Sequence, residues 1–318
     1  MDLKVKKRLL LAILFSVCFM VVLLMKVDWR HFSLIAGRLE KKYILSSIFM
    51  FFFANFIRTL RFHKLDHTGN KILHWWNINA LYNIVTATLP GGAGEAATAY
   101  ILKRTSMFNI LGAFRILLLS RLQDLFALAF LFFISAFFIS RGALYRETAI
   151  WISGILSLMS LIAFLPPSEK FVLKLLKKLP GQNKLVLRLY EKLSELVIIS
   201  EEQRSRKSYS ITLFQSLVMM TAGIISIHLL LKSFGVDFTY IQSAYCYGVY
   251  MIFQVVPVQG IAGIGTKAAW WALALNTAGY RAADAIALGF ILYGTLYVFI
   301  AVLGLSALLA RFINRKSS

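Results

Sequence analysis

Six ionisable side chains, Glu95, Arg115, Arg121, Asp124, Lys267 and Asp284, stand inside or beside long apolar stretches. A charge at the centre of a bilayer costs about 2.5–3.5 kcal/mol on insertion scales, so each needs a partner or a purpose. Glu95 follows the run Leu89-Pro90-Gly91-Gly92-Ala93-Gly94. Lys267 follows Pro257-Val258-Gln259-Gly260-Ile261-Ala262-Gly263-Ile264-Gly265. Such proline and glycine clusters interrupt a helix, and the residues after them predict short helices at about 95–104 and 266–278. A helix N-terminus presents free N–H groups and a partial positive charge. With Lys267 beside it, the second break suits a phosphate or a carboxylate. Glu95 repels an anion at the first break unless Arg115 or Arg121 neutralises it. Arg121 and Asp124 are three residues apart on one helix and can pair locally. Two readings stay open: an Arg121–Asp124–Glu95 network that knits helices together, and a substrate site.

The elements that must carry these groups follow from composition. The chain has 318 residues, 59% of them apolar and only 15% charged, against about 45–50% and about 25% in soluble domains. Lipid must solvate much of such a chain. The sequence predicts an all-α polytopic membrane bundle forming a single domain over residues 1–318. Six segments have the length and apolar character of spans: 9–26, 43–60, 112–140, 148–166, 209–232 and 284–310. The broken regions 72–104 and 239–279 are read as re-entrant hairpins, entering from opposite faces. Counting them as full crossings instead gives eight spans.

The formal net charge of +21 is an orientation signal rather than a nucleic-acid surface. Lys and Arg gather between apolar runs, mostly on one side, as cytoplasmic loops do, and no nucleic-acid motif accompanies them. The N-terminus, the loop 58–71, the loop 166–208 and the C-terminus are therefore expected in the cytoplasm, with the chain in a cell (cytoplasmic-type) membrane. Within 166–208, Phe171, Val172, Leu175, Leu176 and Leu179 alternate with Lys174, Lys177 and Lys178 at helical spacing. That pattern predicts a basic amphipathic helix on the inner leaflet, drawn to anionic headgroups. Membrane lipids are the expected partner. Cys18 and Cys246 read as small hydrophobes. His63 and His67 lack a third metal ligand at motif spacing. The glycine clusters follow no strand and make no nucleotide fingerprint. No cofactor is expected, and no catalytic constellation proposes an enzyme.

At the two breaks the sequence resembles the lysylphosphatidylglycerol synthase transmembrane (flippase-like) family of bacterial and archaeal membrane proteins. Three blocks in order carry the likeness. The first is Asn83-Ile84-Val85-Thr86-Ala87-Thr88-Leu89-Pro90, continuing through Gly94 to Glu95. The second is Arg121-Leu122-Gln123-Asp124. The third is Pro257 followed by Gly263-Ile264-Gly265-Thr266-Lys267. The resemblance implies a compact bundle with two re-entrant hairpins and a lipid-translocating role. It also implies an anionic or polyprenyl-linked lipid whose headgroup passes between the hairpin tips. The family often has an arginine where this chain has Thr98, and a glutamate where it has Ala268. The soluble aminoacyl-transferase domain of two-domain relatives is not expected, so aminoacylation is not either. An accessory or enzymatic role in lipid and glycan assembly is the alternative.

Overall fold

The computed structural model describes residues 39–66, 69–89, 93–105, 110–139, 146–164, 206–254 and 264–316. The expected first span 9–26 and most of the basic loop 166–208 lie outside the described residues. Among the described residues every regular element is an α-helix. They are α1 (Lys41–Leu65), α2 (Ile72–Thr88), α3 (Ala93–Thr105), α4 (Ile110–Phe138), α5 (Arg146–Phe164), α6 (Arg206–Ser233), α7 (Tyr240–Phe253), α8 (Ile264–Thr277) and α9 (Ala282–Lys316). Four of these contain stretches long and apolar enough to cross a membrane: Lys41–Leu65, Ile116–Phe138, Ser210–Ser233 and Asp284–Ala310. The protein is a polytopic helical bundle.

Lipid offers no hydrogen bonds, so polar side chains and small residues hold the helices together. α1 and α6 run antiparallel: the Glu40 N–H bonds the Ser233 carbonyl at 3.2 Å. Along this pair Ser47 Oγ donates to the Ser226 carbonyl at 2.7 Å, and Ser226 Oγ donates to the Ser47 carbonyl at 2.8 Å. α4 packs along both α5 and α6. The sequence boundary of α1 needs correction. Residues 58–65 were expected in a cytoplasmic loop, yet the helix continues to Leu65 and carries Arg58 and Arg61 inward. Helical hydrogen bonding outlasts the apolar run because both guanidinium groups find places inside the bundle.

Each broken region folds back on itself. In the first, Trp75 near the start of α2 shares a buried cluster with Leu102 near the end of α3 and Ala113 at the start of α4. The hairpin therefore returns to the end of the bundle from which it came. The start of α3 lies close on the end of α2: a Cβ on Gly94 would stand 2.8 Å from the Thr86 Cα, a contact only glycine permits. In the second region α7 and α8 pair antiparallel. Phe238 meets Tyr280 edge-on with ring centroids 5.9 Å apart, Cys246 Sγ donates to the Ala274 carbonyl at 3.3 Å, and Tyr250 stacks on Trp271 at 4.1 Å. This hairpin begins beside the C-terminal end of α6, at the opposite end of the bundle. A capping box of Thr239 and Gln242 starts α7, satisfying two otherwise orphaned donors. α8 then lies close on α9, where a Cβ on Gly289 would come within 2.4 Å of the Ala268 carbonyl oxygen. The two interrupted elements thus start from opposite ends of the bundle.

Candidate functional site

The two hairpins meet. Lys267, in the first turn of α8 and only 5% exposed, sends its ammonium to the end of α2. Its Nζ donates to the carbonyls of Thr86 at 3.3 Å and Ala87 at 3.5 Å, and lies 5.7 Å from the centroid of the Tyr293 ring. The Tyr297 hydroxyl of α9 also donates to the Ala87 carbonyl, at 2.9 Å. The last carbonyls of any helix lack intrahelical partners, and those of α2 end inside the bundle. A cation there also meets the negative end of the helix dipole. The lysine expected to greet an anion at its own helix N-terminus therefore caps the neighbouring hairpin.

Between the tips and α6 lies a cavity of about 260 Å³. Residues 219–227 of α6 and 293–300 of α9 border it, near the middle of the spans Ser210–Ser233 and Asp284–Ala310. Three cations reach it: Arg58, Arg121 and Lys267. Among the described lining residues there is no carboxylate. Met219, Met220, Tyr247, Trp271 and Leu296 supply much of its apolar and aromatic wall. Two cations lie near the Tyr82 ring. The Arg58 Cζ is 5.6 Å and the Arg121 Cζ 5.4 Å from its ring centroid, within cation–π reach. Arg58 Nε also points at the Met219 sulfur at 3.3 Å.

Asp124 is not among the described lining residues, though two that are, Arg58 and Arg121, lie within electrostatic reach of its carboxylate. Arg61 of α1, 1% exposed, grips its carboxylate with both terminal nitrogens: Nη1 on Oδ1, and Nη2 on Oδ2 at 3.1 Å. Ser216 Oγ of α6 accepts from the same Nη1. Arg121, three residues away on the same helix, remains within electrostatic reach of Asp124, but the bidentate hydrogen bonds are made by Arg61. The bidentate partner comes from α1, because a planar fork on a facing helix matches the carboxylate better than a neighbour on the same surface can. Beside this pair Gln123 Nε2 donates to Thr212 Oγ1 at 2.8 Å, so α4 is tied to α6 directly here and through Arg61 at Asp124.

Asn83 lines the cavity from α2 and is fixed by two other asparagines. Its amide nitrogen donates to Asn55 Oδ1 at 2.9 Å and to the Asn79 carbonyl at 2.8 Å. Asn79 in turn donates to the Asn55 carbonyl at 3.0 Å. This chain of amides locks α2 to α1 and so sets the height of the first tip. Gly265 is half-buried in the first turn of α8. Glu95 and Arg115 lie on α3 and α4, with side chains outside the description. Pro90, Pro257 and Gly263 fall outside the described residues. Asp284 stands in the first turn of α9, where its N–H bonds the Arg281 carbonyl at 3.1 Å; it is not among the cavity residues.

The family model described as the lysylphosphatidylglycerol synthase TM region matches residues 9–304. The chain belongs to this family. No curated protein and no solved structure matches it. As a member of the lysylphosphatidylglycerol synthase TM family, the chain is a multi-pass membrane protein related to proteins of lipid handling. Its two departures from the family pattern have structural counterparts. Thr98 is buried, and its hydroxyl donates to the Gly94 carbonyl at 2.8 Å, bracing the first turn of α3. Ala268 is buried where α8 presses on Gly289 of α9. Neither position offers a charge to the cavity. Arg58 and Tyr82, which line the cavity, and Arg61, which grips Asp124, do not stand out in the sequence as candidates. The available signal was their helical spacing: Asn55, Arg58 and Arg61 recur every three residues, as one face of a continuing helix requires.

Proposed function

We propose that this chain is a lipid flippase or transporter, moving an anionic or polyprenyl-linked lipid between leaflets. One observation carries the reading: opposed hairpin tips meet beside a mid-membrane cavity that receives three cations. Helix breaks near the midplane are where transporters of inverted topology hold their substrates. The volume fits the same reading. At about 260 Å³ it lies just under the roughly 300 Å³ lower end for small-molecule pockets, a scale that suits a small headgroup and leaves the acyl chains in the bilayer. The basic loop 166–208 and both termini face the cytoplasm in this proposal, following the distribution of Lys and Arg. The sequence has no ATP-binding motif, and movement in this proposal is either driven by lipid or ion gradients or passive.

Filling the cavity tests the proposal. Gly223 of α6 borders it, and a Cβ there would meet only the Tyr247 hydroxyl, at 3.8 Å. Gly223→Phe therefore places a ring in the cavity without forcing backbones apart. The ring competes with a headgroup for the same space, so leaflet-to-leaflet movement of labelled phosphatidylglycerol in proteoliposomes should slow about tenfold or more, which about 1.4 kcal/mol on the barrier produces. Equal rates for wild type and the folded variant would remove the cavity from the route.

A further inference from the structure

We infer that Asn83 reads hydroxyl hydrogens, so that the cavity selects lipid headgroups bearing free hydroxyl groups, as glycerol and sugars do. The inference rests on the lipid-transport reading and narrows it to a substrate class. Asn83 is half-buried on α2 and lines the cavity. A side-chain amide offers a nitrogen that only donates and an oxygen that only accepts. The nitrogen is engaged within the bundle: Nδ2 donates to Asn55 Oδ1 at 2.9 Å and to the Asn79 carbonyl at 2.8 Å. A main-chain carbonyl can only accept, so turning the amide over would set oxygen against oxygen. The oxygen is not engaged. Among the described residues none donates to Oδ1, and it is not one of the polar atoms closed off inside the bundle, so it opens on the cavity. A ligand meets Asn83 as a fixed acceptor and must bring a hydrogen to it.

Thr86, three residues further along the same helix, has the same polarity. It also lines the cavity, and its hydroxyl hydrogen is directed to the Tyr82 carbonyl at 2.7 Å. A phosphate brings acceptor oxygens and makes no hydrogen bond to this side of α2. An ammonium can donate, but Lys267 Nζ already stands 3.3 Å from the Thr86 carbonyl, and a second cation beside it is repelled. A neutral hydroxyl supplies the hydrogen without the charge. An acceptor that loses its water to a ligand and gains no donor weakens binding. A site built for a hydroxyl rejects an analogue lacking one in this way.

Competition binding tests the hydroxyl directly. Purified protein in detergent is loaded with radiolabelled short-chain phosphatidylglycerol and challenged with unlabelled lipids of the same chain length. Phosphatidylpropanol lacks both headgroup hydroxyls. The di-O-methyl ether of phosphatidylglycerol keeps the oxygens and loses the hydrogens. Phosphatidylethanolamine and soluble glycerol phosphate complete the set. Each lipid competitor should bind about tenfold or more weaker than phosphatidylglycerol. Asn83→Ala should bring phosphatidylglycerol and phosphatidylpropanol to within about twofold of each other. Asn79 still ties α2 to α1 in that variant, through the Asn55 carbonyl at 3.0 Å. A purely structural role would weaken both headgroups alike, and an unchanged ratio would overturn the assignment to Asn83. If the variant fails to fold, the ether decides. A hydroxyl read through its oxygen survives methylation, whereas one read through its hydrogen does not. Retained affinity of the ether, equal affinity for phosphatidylpropanol, or no binding of phosphatidylglycerol would overturn the inference. Phosphatidylethanolamine binding as tightly as phosphatidylglycerol would overturn the choice of hydroxyl over amine. Glycerol phosphate binding as tightly as the lipid would overturn its assignment to a lipid headgroup. Selective binding without movement between leaflets would defeat the transport reading and leave the hydroxyl site standing.

Discussion

Asp124→Ala should destabilise the bundle by about 3–5 kcal/mol, the cost of leaving a buried charge without its partner. Arg61 is 1% exposed and divides its hydrogen bonds between Asp124 and Ser216. Removing the carboxylate strands a guanidinium inside the bundle. Hydrogen bonds between membrane helices average only about 0.6 kcal/mol in double-mutant cycles, so the larger figure depends on charge and not on bond count. The double variant Arg61→Leu/Asp124→Leu provides the control, because it leaves no charge behind and should recover most of the loss. Thermal unfolding in a mild detergent measures both. A single variant as stable as wild type would mean that water or another group reaches Arg61.

The second large effect is expected at the joined tips. Lys267→Met keeps the length of the side chain and removes its charge, while Tyr297→Phe removes the other donor to Ala87. Tyr297→Phe alone should cost little, since Lys267 still covers that carbonyl. Lys267→Met should cost more, because the Thr86 carbonyl loses a charged donor at 3.3 Å, a class of bond worth about 1.5–3 kcal/mol. Together they leave the end of α2 uncapped, and the pair should lose more than the sum of the singles, about 2–4 kcal/mol in all. Lipid movement should fall with it, as the first hairpin loses its anchor on α8 and α9. The same cycle of four proteins, followed by unfolding and by transport, yields both numbers. Strict additivity would show that the two donors serve separate carbonyls.

Much of this arrangement can be read in the chain before any coordinates. The runs around Pro90 and Pro257 announce broken helices because proline and consecutive glycines cannot sustain hydrogen-bonded turns. The lipid solvation implied by composition leaves little choice of fold class. Lys267 stands out for the same reason, as a charge beside a break. What it does there is not legible, since its carbonyl partners are 180 or so positions away and carbonyls leave no mark in a sequence. The partner of Asp124 is hidden by a different effect. Arg58 and Arg61 follow the end of an apolar run, where hydropathy alone closes a span, and only the geometry of a facing helix shows that Arg61 turns inward. The cavity is assembled from seven helices distant in sequence, and Tyr82, Tyr247 and Trp271 resemble ordinary interfacial or core aromatics until they are brought together.

Cross-linking between the two tips measures the central feature directly. In a background of Cys18→Ser and Cys246→Ala, cysteines replacing Ala87 and Lys267 are treated in intact membranes with a short bifunctional methanethiosulfonate. A second pair, replacing Ile72 and Thr277 at the outer ends of the two hairpins, is treated alongside. Hairpins that enter from opposite faces and touch at their tips predict an efficient intramolecular link for the first pair and none for the second. A link between 72 and 277 without one between 87 and 267 would contradict that arrangement.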